Sequence, residues 1–228
     1  MKKPKYKLRK IGKRGKFEIW EVDGNLIRTE LEKEFTNFGQ HFQFHRIPKY
    51  EFWLDRENAP DERNFFIDHL LLEWSKMKEG ATHREAIVAA DDREMKERIK
   101  ALGDKRFSLK TEDKLLPQVY KRKLKNTKKG IQVYLIDGKL VRTLFYIDFT
   151  EGGHDLVYKF VPENQVWIDN DIVPKERKYI IIHELYERSL MRRGLTYNQA
   201  HEKASALEWE CRHRQKKCKE VLNKLGYK

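Results

Sequence analysis

The sequence predicts an α+β protein made of two fused copies of one ββββαα unit, with antiparallel sheets, helical hairpins and a pseudo-two-fold relation between the copies. Three observations lead there. The 228-residue chain aligns with itself without a gap when shifted by half its length. In each half, short β-rich runs come first and apolar residues at helical spacing follow. Turn and cap signals recur at matching positions of the two halves.

The register is carried by many identities. FEIWEVDGNLIRT (17–29) falls on IQVYLIDGKLVRT (131–143), and Trp53 and Asp55 fall on Trp167 and Asp169. His69, Glu73, Met77, Gly80, Thr82 and Ala86 fall on His183, Glu187, Met191, Gly194, Thr196 and Ala200. Domains spanning 1–114 and 115–228 follow, each of ordinary size for a small domain.

The elements read as follows. In each copy two β-rich runs flank an Asp-Gly, at 23–24 and 137–138, the dipeptide favoured in tight hairpin turns. A third run, FQFHRIP or LVYKFVP, ends at a proline, and a fourth, EFWLD or QVWID, follows at once. Beyond Pro60 or Pro174 the spacing becomes helical, as in Tyr179, Ile182, Leu185, Tyr186 and Leu190. Gly194 stops that helix, and Thr196 with Gln199 forms a capping box for the next; Gly80, Thr82 and Glu85 do the same in the first copy. The last helix is expected to run unbroken from about Tyr197 toward Leu225. On such a helix the Cα atoms of Cys211 and Cys218 would lie about 10 Å apart, beyond the ~7 Å reach of a disulfide. Two thiols without a pairing framework point to a reducing, cytoplasmic setting.

Composition narrows the function classes. Hydrophobic residues at 39% and aromatics at 12% suffice for a core, so a wholly disordered chain is excluded. No apolar run approaches the ~18 residues of a membrane span, and the basic start MKKPKYKLRK has no apolar segment behind it, so no membrane partner and no secretory signal is expected. P-loop, GxGxxG, GxSxG and CxxC patterns are missing, which leaves ATP hydrolysis, dinucleotide binding and serine hydrolysis without support.

The net charge of +13 is concentrated in two places. Residues 1–16 hold nine cations and no acid, residues 121–130 hold six and no acid, and the rest of the chain is nearly neutral. Both segments precede the first β-rich run of their copy. Lys7, Arg9, Lys10, Lys13 and Arg14, with Lys121, Arg122, Lys123, Lys125, Lys128 and Lys129, are therefore candidate contacts to nucleic-acid phosphates, where each neutralised charge releases a counterion. Solvated tails or a linker are the plainer reading.

The chemically richest stretch is YIIIHELYERSLMRRGLTYNQAHEKAS, residues 179–205. His183 and Glu187 lie four apart on one helix face, and His201 sits one turn into the next helix. Two imidazoles and a carboxylate with one open position suit a divalent metal, Zn or Mn, and Glu184 is placed to activate a water. His154, Asp155 and Asp169 are further candidates. The first copy has Leu70, Ile87, Gln40 and His41 where the second has Glu184, His201, His154 and Asp155, which makes it a degenerate site. A His–Glu pair that merely braces the helix is the bland alternative.

This stretch resembles the active-site helix of HExxH metallohydrolases, with Glu187 in place of the second histidine, and that resemblance implies a metal-dependent hydrolase with Glu184 as general base. The wider pattern HELxExxLMxxGxxYxxAH is similar to that of small uncharacterised prokaryotic and phage proteins. A competing reading takes LMRRGLTYNQAHEKA and KMKEGATHREAIVAA as helix-turn-helix units, with Arg192 and Arg193 on phosphates. The sequence thus supports a nucleic-acid-associated protein with a metal-dependent hydrolytic site in its second copy. The alternative is a non-catalytic DNA- or RNA-binding or assembly protein, phage-related, whose His and Glu residues are structural.

Overall fold

The computed structural model describes residues 4–102 and 112–227. The chain divides into two compact units, Met1–Arg106 with Tyr146–Asp148, and Phe107–Phe145 with Phe149–Lys228. The first unit contains β1 (Lys7–Arg14), β2 (Phe17–Val22), α1 (Gly24–Glu30), β3 (Phe38–Gly39), β4 (Glu51–Asp55), α2 (Arg63–Lys78) and α3 (His83–Leu102). The second contains α4 (Glu112–Val119), β5 (Tyr120–Asn126), β6 (Gln132–Ile136), α5 (Gly138–Leu144), β7 (Gly152–His154), β8 (Gln165–Asp169), α6 (Arg177–Met191), α7 (Tyr197–His213) and α8 (Gln215–Lys224). The α+β class and the duplicated four-stranded unit are as expected.

The sheets are mixed rather than wholly antiparallel. Their orders are β1-β2-β4-β3 and β5-β6-β8-β7, and the central pairs β2–β4 and β6–β8 run parallel. The reason lies at the Asp-Gly, which does not turn a hairpin. Asp23 is extended (φ −85°, ψ 92°) and its carboxylate accepts from Leu26 N at 3.1 Å, so it caps α1. Asp137 caps α5 in the same way, accepting from Leu140 N at 2.9 Å. What looked like a second strand is therefore a crossover helix, and a crossover permits parallel pairing. The hairpin turns instead at Gly15 and Gly130, both at positive φ, and its first strand is the basic leader itself. The third run is also no strand. Residues 42–48 form turns that bury Phe44 and Ile47, while β3 and β7 lie just before them.

Both faces of each sheet are covered, which explains the continuous apolar character of β4 and β8. In the second unit Val133, Val166 and Ile168 pack against Ile180, Ile181 and Leu185 of α6. Trp167 points the other way, into a cluster with Val141, Phe149 and Val161. The first unit repeats this, with Phe52 and Leu54 against α2 and Trp53 on the opposite face. The last helix is broken. Arg214 (φ −131°, ψ 84°) ends α7 and begins α8. The fold-back brings Cys211 and Cys218 into one buried cluster with Tyr179 and Ile182, so a single straight helix does not describe their separation.

Candidate metal centre

Helix α6 contributes His183, Glu184 and Glu187, α7 contributes His201, and the end of β7 contributes His154. The Thr196 hydroxyl and the Gln199 side chain complete a capping box that starts α7, which fixes where His201 emerges one turn later. Gly152 lets α6 lie close to the sheet: a Cβ there would meet Ile180 Cγ2 and the Trp167 carbonyl at 2.9 Å, and Glu184 Cγ at 3.3 Å. Beside these groups is a cavity of about 90 Å³, lined in part by His183, Glu184, Glu187, His201 and Tyr197. That holds an ion and a few waters.

The donor atoms converge. His201 Nδ1 lies 2.9 Å from Glu187 Oε2 and 3.2 Å from His183 Nε2, and His183 Nε2 lies 3.4 Å from Glu187 Oε2. The other oxygen, Glu187 Oε1, is 3.0 Å from His154 Nε2. Among the described residues, the His, Cys, Asp and Glu groups close enough to share an ion are His183–Glu187–His201 and His154–Glu184–Glu187, both in the second repeat. Tyr197 stacks on His201 with ring centroids 5.5 Å apart.

Electrostatics follow from the packing. Burial opposes the charge on Glu187, but hydrogen bonds from His154, His183 and His201 outweigh it and hold this carboxyl well below the usual range. Burial dominates at Glu184, helped by the nearby Glu187 anion, and pushes its carboxyl up to about 7 although three histidines oppose it. Burial disfavours the His183 cation, yet its bonds to Glu187 and Glu208 raise its pKa well above the ordinary value.

A second layer supports the first. His183 Nδ1 lies 3.0 Å from Glu208 Oε2, Arg212 donates to Glu208 Oε1 through Nε at 3.0 Å and Nη2 at 2.7 Å, and Arg212 also pairs with the buried Glu176. The first repeat holds the same chain: His69 Nδ1 to Glu94 at 3.0 Å, Arg98 to Glu94 at 2.8 Å, and Arg98 to Glu62 at 2.6 Å. Glu208 and Arg212 escape a motif search. The signal was present, because the repeat register pairs Glu94 with Glu208 and Arg98 with Arg212.

The remaining candidates lie elsewhere. Asp155 grips Arg188 with both oxygens, at 2.6 and 2.9 Å, and despite its burial Arg188 keeps its carboxyl below the ordinary range. Asp169 accepts from Arg142 Nη1 at 2.6 Å, deep under α5, as Asp55 accepts from Arg28 at 2.9 Å. Neither belongs to the converging set.

The basic leaders are edge strands rather than free arms. Lys7 pairs with Glu51 at 2.7 Å, Arg9 with Glu21 at 2.9 Å, Lys10 with Glu18 at 2.5 Å and Lys121 with Asp137 at 2.8 Å. Lys123 bonds Gln132 at 2.9 Å. Lys13, Arg14, Arg122, Lys125, Lys128 and Lys129 are exposed. Cations along an edge strand also discourage sheet-to-sheet pairing between chains. Among the described residues, no helix is long and apolar enough to cross a membrane. In comparison with known proteins, the chain matches no family model, no curated protein and no solved structure.

Proposed function

We propose that the second repeat is a divalent-metal-dependent hydrolytic centre in which His183 Nε2, Glu187 Oε2 and His201 Nδ1 hold the ion and Glu184 activates a water. One observation carries this. The three donor atoms form a triangle of 2.9, 3.2 and 3.4 Å. Ligands at about 2.0–2.1 Å from a tetrahedral ion stand about 3.3 Å apart, which is this spacing. Two nitrogens and an oxygen would suit Zn or Mn, and the adjoining cavity leaves room for a water beside them. Glu184 borders that cavity, placed to take a proton from a water held there. A polyanionic substrate, nucleic acid above all, fits the exposed cations of β1 and β5, and two free buried thiols fit a cytoplasmic setting.

The test is direct. Purified chain is titrated with Zn²⁺ and Mn²⁺ under chelator competition, beside His201→Ala and Glu184→Gln. The expected result is one tightly held ion, lost in His201→Ala and kept in Glu184→Gln. A panel of phosphodiester, ester and peptide probes should then show turnover that Glu184→Gln lowers by about 10²–10⁴. Absence of binding below millimolar metal sinks the proposal. For nucleic acid, the affinity for a generic oligonucleotide should fall steeply with salt, and a flat response removes that partner.

The rival, a non-catalytic nucleic-acid-binding or assembly protein, draws on the first repeat, which keeps the His–Glu–Arg–Glu chain without the converging ligands. Metal-free protein with salt-dependent oligonucleotide binding would favour it.

A further inference from the structure

We infer that His154 is a positioning residue rather than a ligand: it donates a hydrogen bond that aims Glu187 at a single metal ion, and Gln40 occupies its place in the first repeat. The inference rests on the metal centre proposed above and decides its nuclearity. Two donor sets overlap at Glu187, His183–Glu187–His201 and His154–Glu184–Glu187. Oxygen Oε2 faces His183 and His201, and Oε1 faces His154. Taken together they outline a two-ion site bridged by Glu187, of the kind used by hydrolases whose ions stand about 3.5–4 Å apart.

The direction of one hydrogen bond decides against the second ion. The Leu156 backbone N–H donates to His154 Nδ1 at 3.2 Å. A neutral imidazole has one acceptor nitrogen and one donor nitrogen. With Nδ1 accepting, the proton sits on Nε2, and Nε2 donates to Glu187 Oε1 at 3.0 Å. That nitrogen then has no lone pair for a metal. The opposite tautomer would set two N–H groups against each other at the fully buried His154 and deprive the Leu156 amide of its acceptor.

The first repeat supplies an independent observation. Gln40 occupies the matching position, and the Phe42 N–H donates to its Oε1 at 2.8 Å, two residues on, as Leu156 does to His154. The amide end of Gln40 donates to Met77 Sδ at 3.7 Å, and it lies near enough to Glu73, the counterpart of Glu187, to oppose the upward shift that burial gives that carboxyl. Histidine and glutamine share little except this ability to accept at one end and donate at the other. The same backbone-to-side-chain bond persists where Ile87 replaces His201 and, among the described residues, no converging ligand set exists in that repeat. The position therefore serves the glutamate. With Oε1 held, Oε2 is the oxygen presented to the ion, while Glu208 on Nδ1 turns His183 Nε2 toward it.

The full-length chain is loaded with Zn²⁺, freed of excess, and assayed for ions per chain by elemental mass spectrometry; affinity comes from chelator competition, and Co²⁺ spectra report the coordinating atoms. Wild type should hold one ion. His154→Gln should also hold one, with an unchanged Co²⁺ spectrum and near wild-type affinity. His154→Leu, which cannot donate, should still take one ion but about 10–100-fold more weakly. Circular dichroism checks the fold of each variant. Two ions in wild type and one in His154→Gln would overturn the inference, as would a His154→Gln chain that loses its ion as His201→Ala does. A wild type holding no ion defeats the metal centre itself, a failure recognisable before any variant is compared.

Discussion

Glu208 is held at about 2: burial works against its charge, but the bonds to His183 and Arg212 prevail. A carboxylate kept ionised on Nδ1 fixes the tautomer of His183 and leaves Nε2 free to coordinate. In the first repeat Glu94 stands 3.0 Å from His69 Nδ1 and is likewise kept ionised against burial. This pair separates the ligating role from the structural one. Glu208→Ala and Glu94→Ala should both destabilise their units by about 1–3 kcal/mol, because each takes one of two carboxylate partners from a buried arginine, Arg212 or Arg98, and leaves buried donors unmet. Only Glu208→Ala should also weaken Zn²⁺ binding, by about 10–100-fold. Thermal melts and chelator competition on the two variants check this, and equal effects on metal affinity would deny Glu208 its special place.

At the scale of elements, Arg142 and Asp169 clamp α5 against the end of β8. Arg142 Nη1 donates to Asp169 at 2.6 Å and to the Phe149 carbonyl at 3.0 Å, and a Cβ added at Gly138 would collide with the Asp169 carboxylate. Asp169→Ala should therefore cost about 3–5 kcal/mol in stability while the folded variant still binds one Zn²⁺. Loss of the ion from folded protein would return Asp169 to the site. The break at Arg214 makes a different prediction. Burial pushes the Cys211 thiol up to about 11 and raises that of Cys218 as well. A raised thiol pKa leaves little thiolate near neutrality. Iodoacetamide at pH 8 should spare both thiols in native protein and label both after denaturation, and rapid native labelling would contradict the buried packing. These elements also mark the limits of sequence reading. Helices α2, α3, α6 and α7 were legible because their core residues recur at three and four positions. Asp23-Gly24 was misread because aspartate before glycine suits a helix cap as well as a hairpin, and the deciding partner, Asp55, lies 31 residues away. Strand β1 was hidden because an edge strand carries its lysines outward and reads as a solvated tail.

For the molecule as a whole, duplication offers an experiment that a single copy could not. His183, Glu187 and His201 were legible from spacing, because one helix face and one capped turn fix where they emerge. The orienting groups were not, because a hydrogen bond's direction has no sequence signature. The first repeat retains much of that layout: His69 Nδ1 lies 3.0 Å from Glu94, Gln40 stands beside Glu73, and Arg98 is tied to Glu62. Relative to the second repeat it lacks the third ligand, whose place is taken by Ile87, half-buried on α3. If orientation by Gln40 and Glu94 is what a ligand pair needs, Ile87→His should complete a second centre. Its cost is modest because Ile87 is not a core residue, whereas Leu70, at the position of Glu184, is fully buried and should be left alone. The variant should bind two Zn²⁺ ions per chain where wild type binds one, the new one more weakly because His83 lies 3.3 Å from Glu73 and competes for it. Ile87→His with His83→Ala should tighten the new site, and His201→Ala added to Ile87→His should return the count to one. Stoichiometry that stays at one in Ile87→His and in its His83→Ala partner would mean that support from Glu94 and Gln40 is insufficient, and that the second repeat differs from the first by more than its ligands.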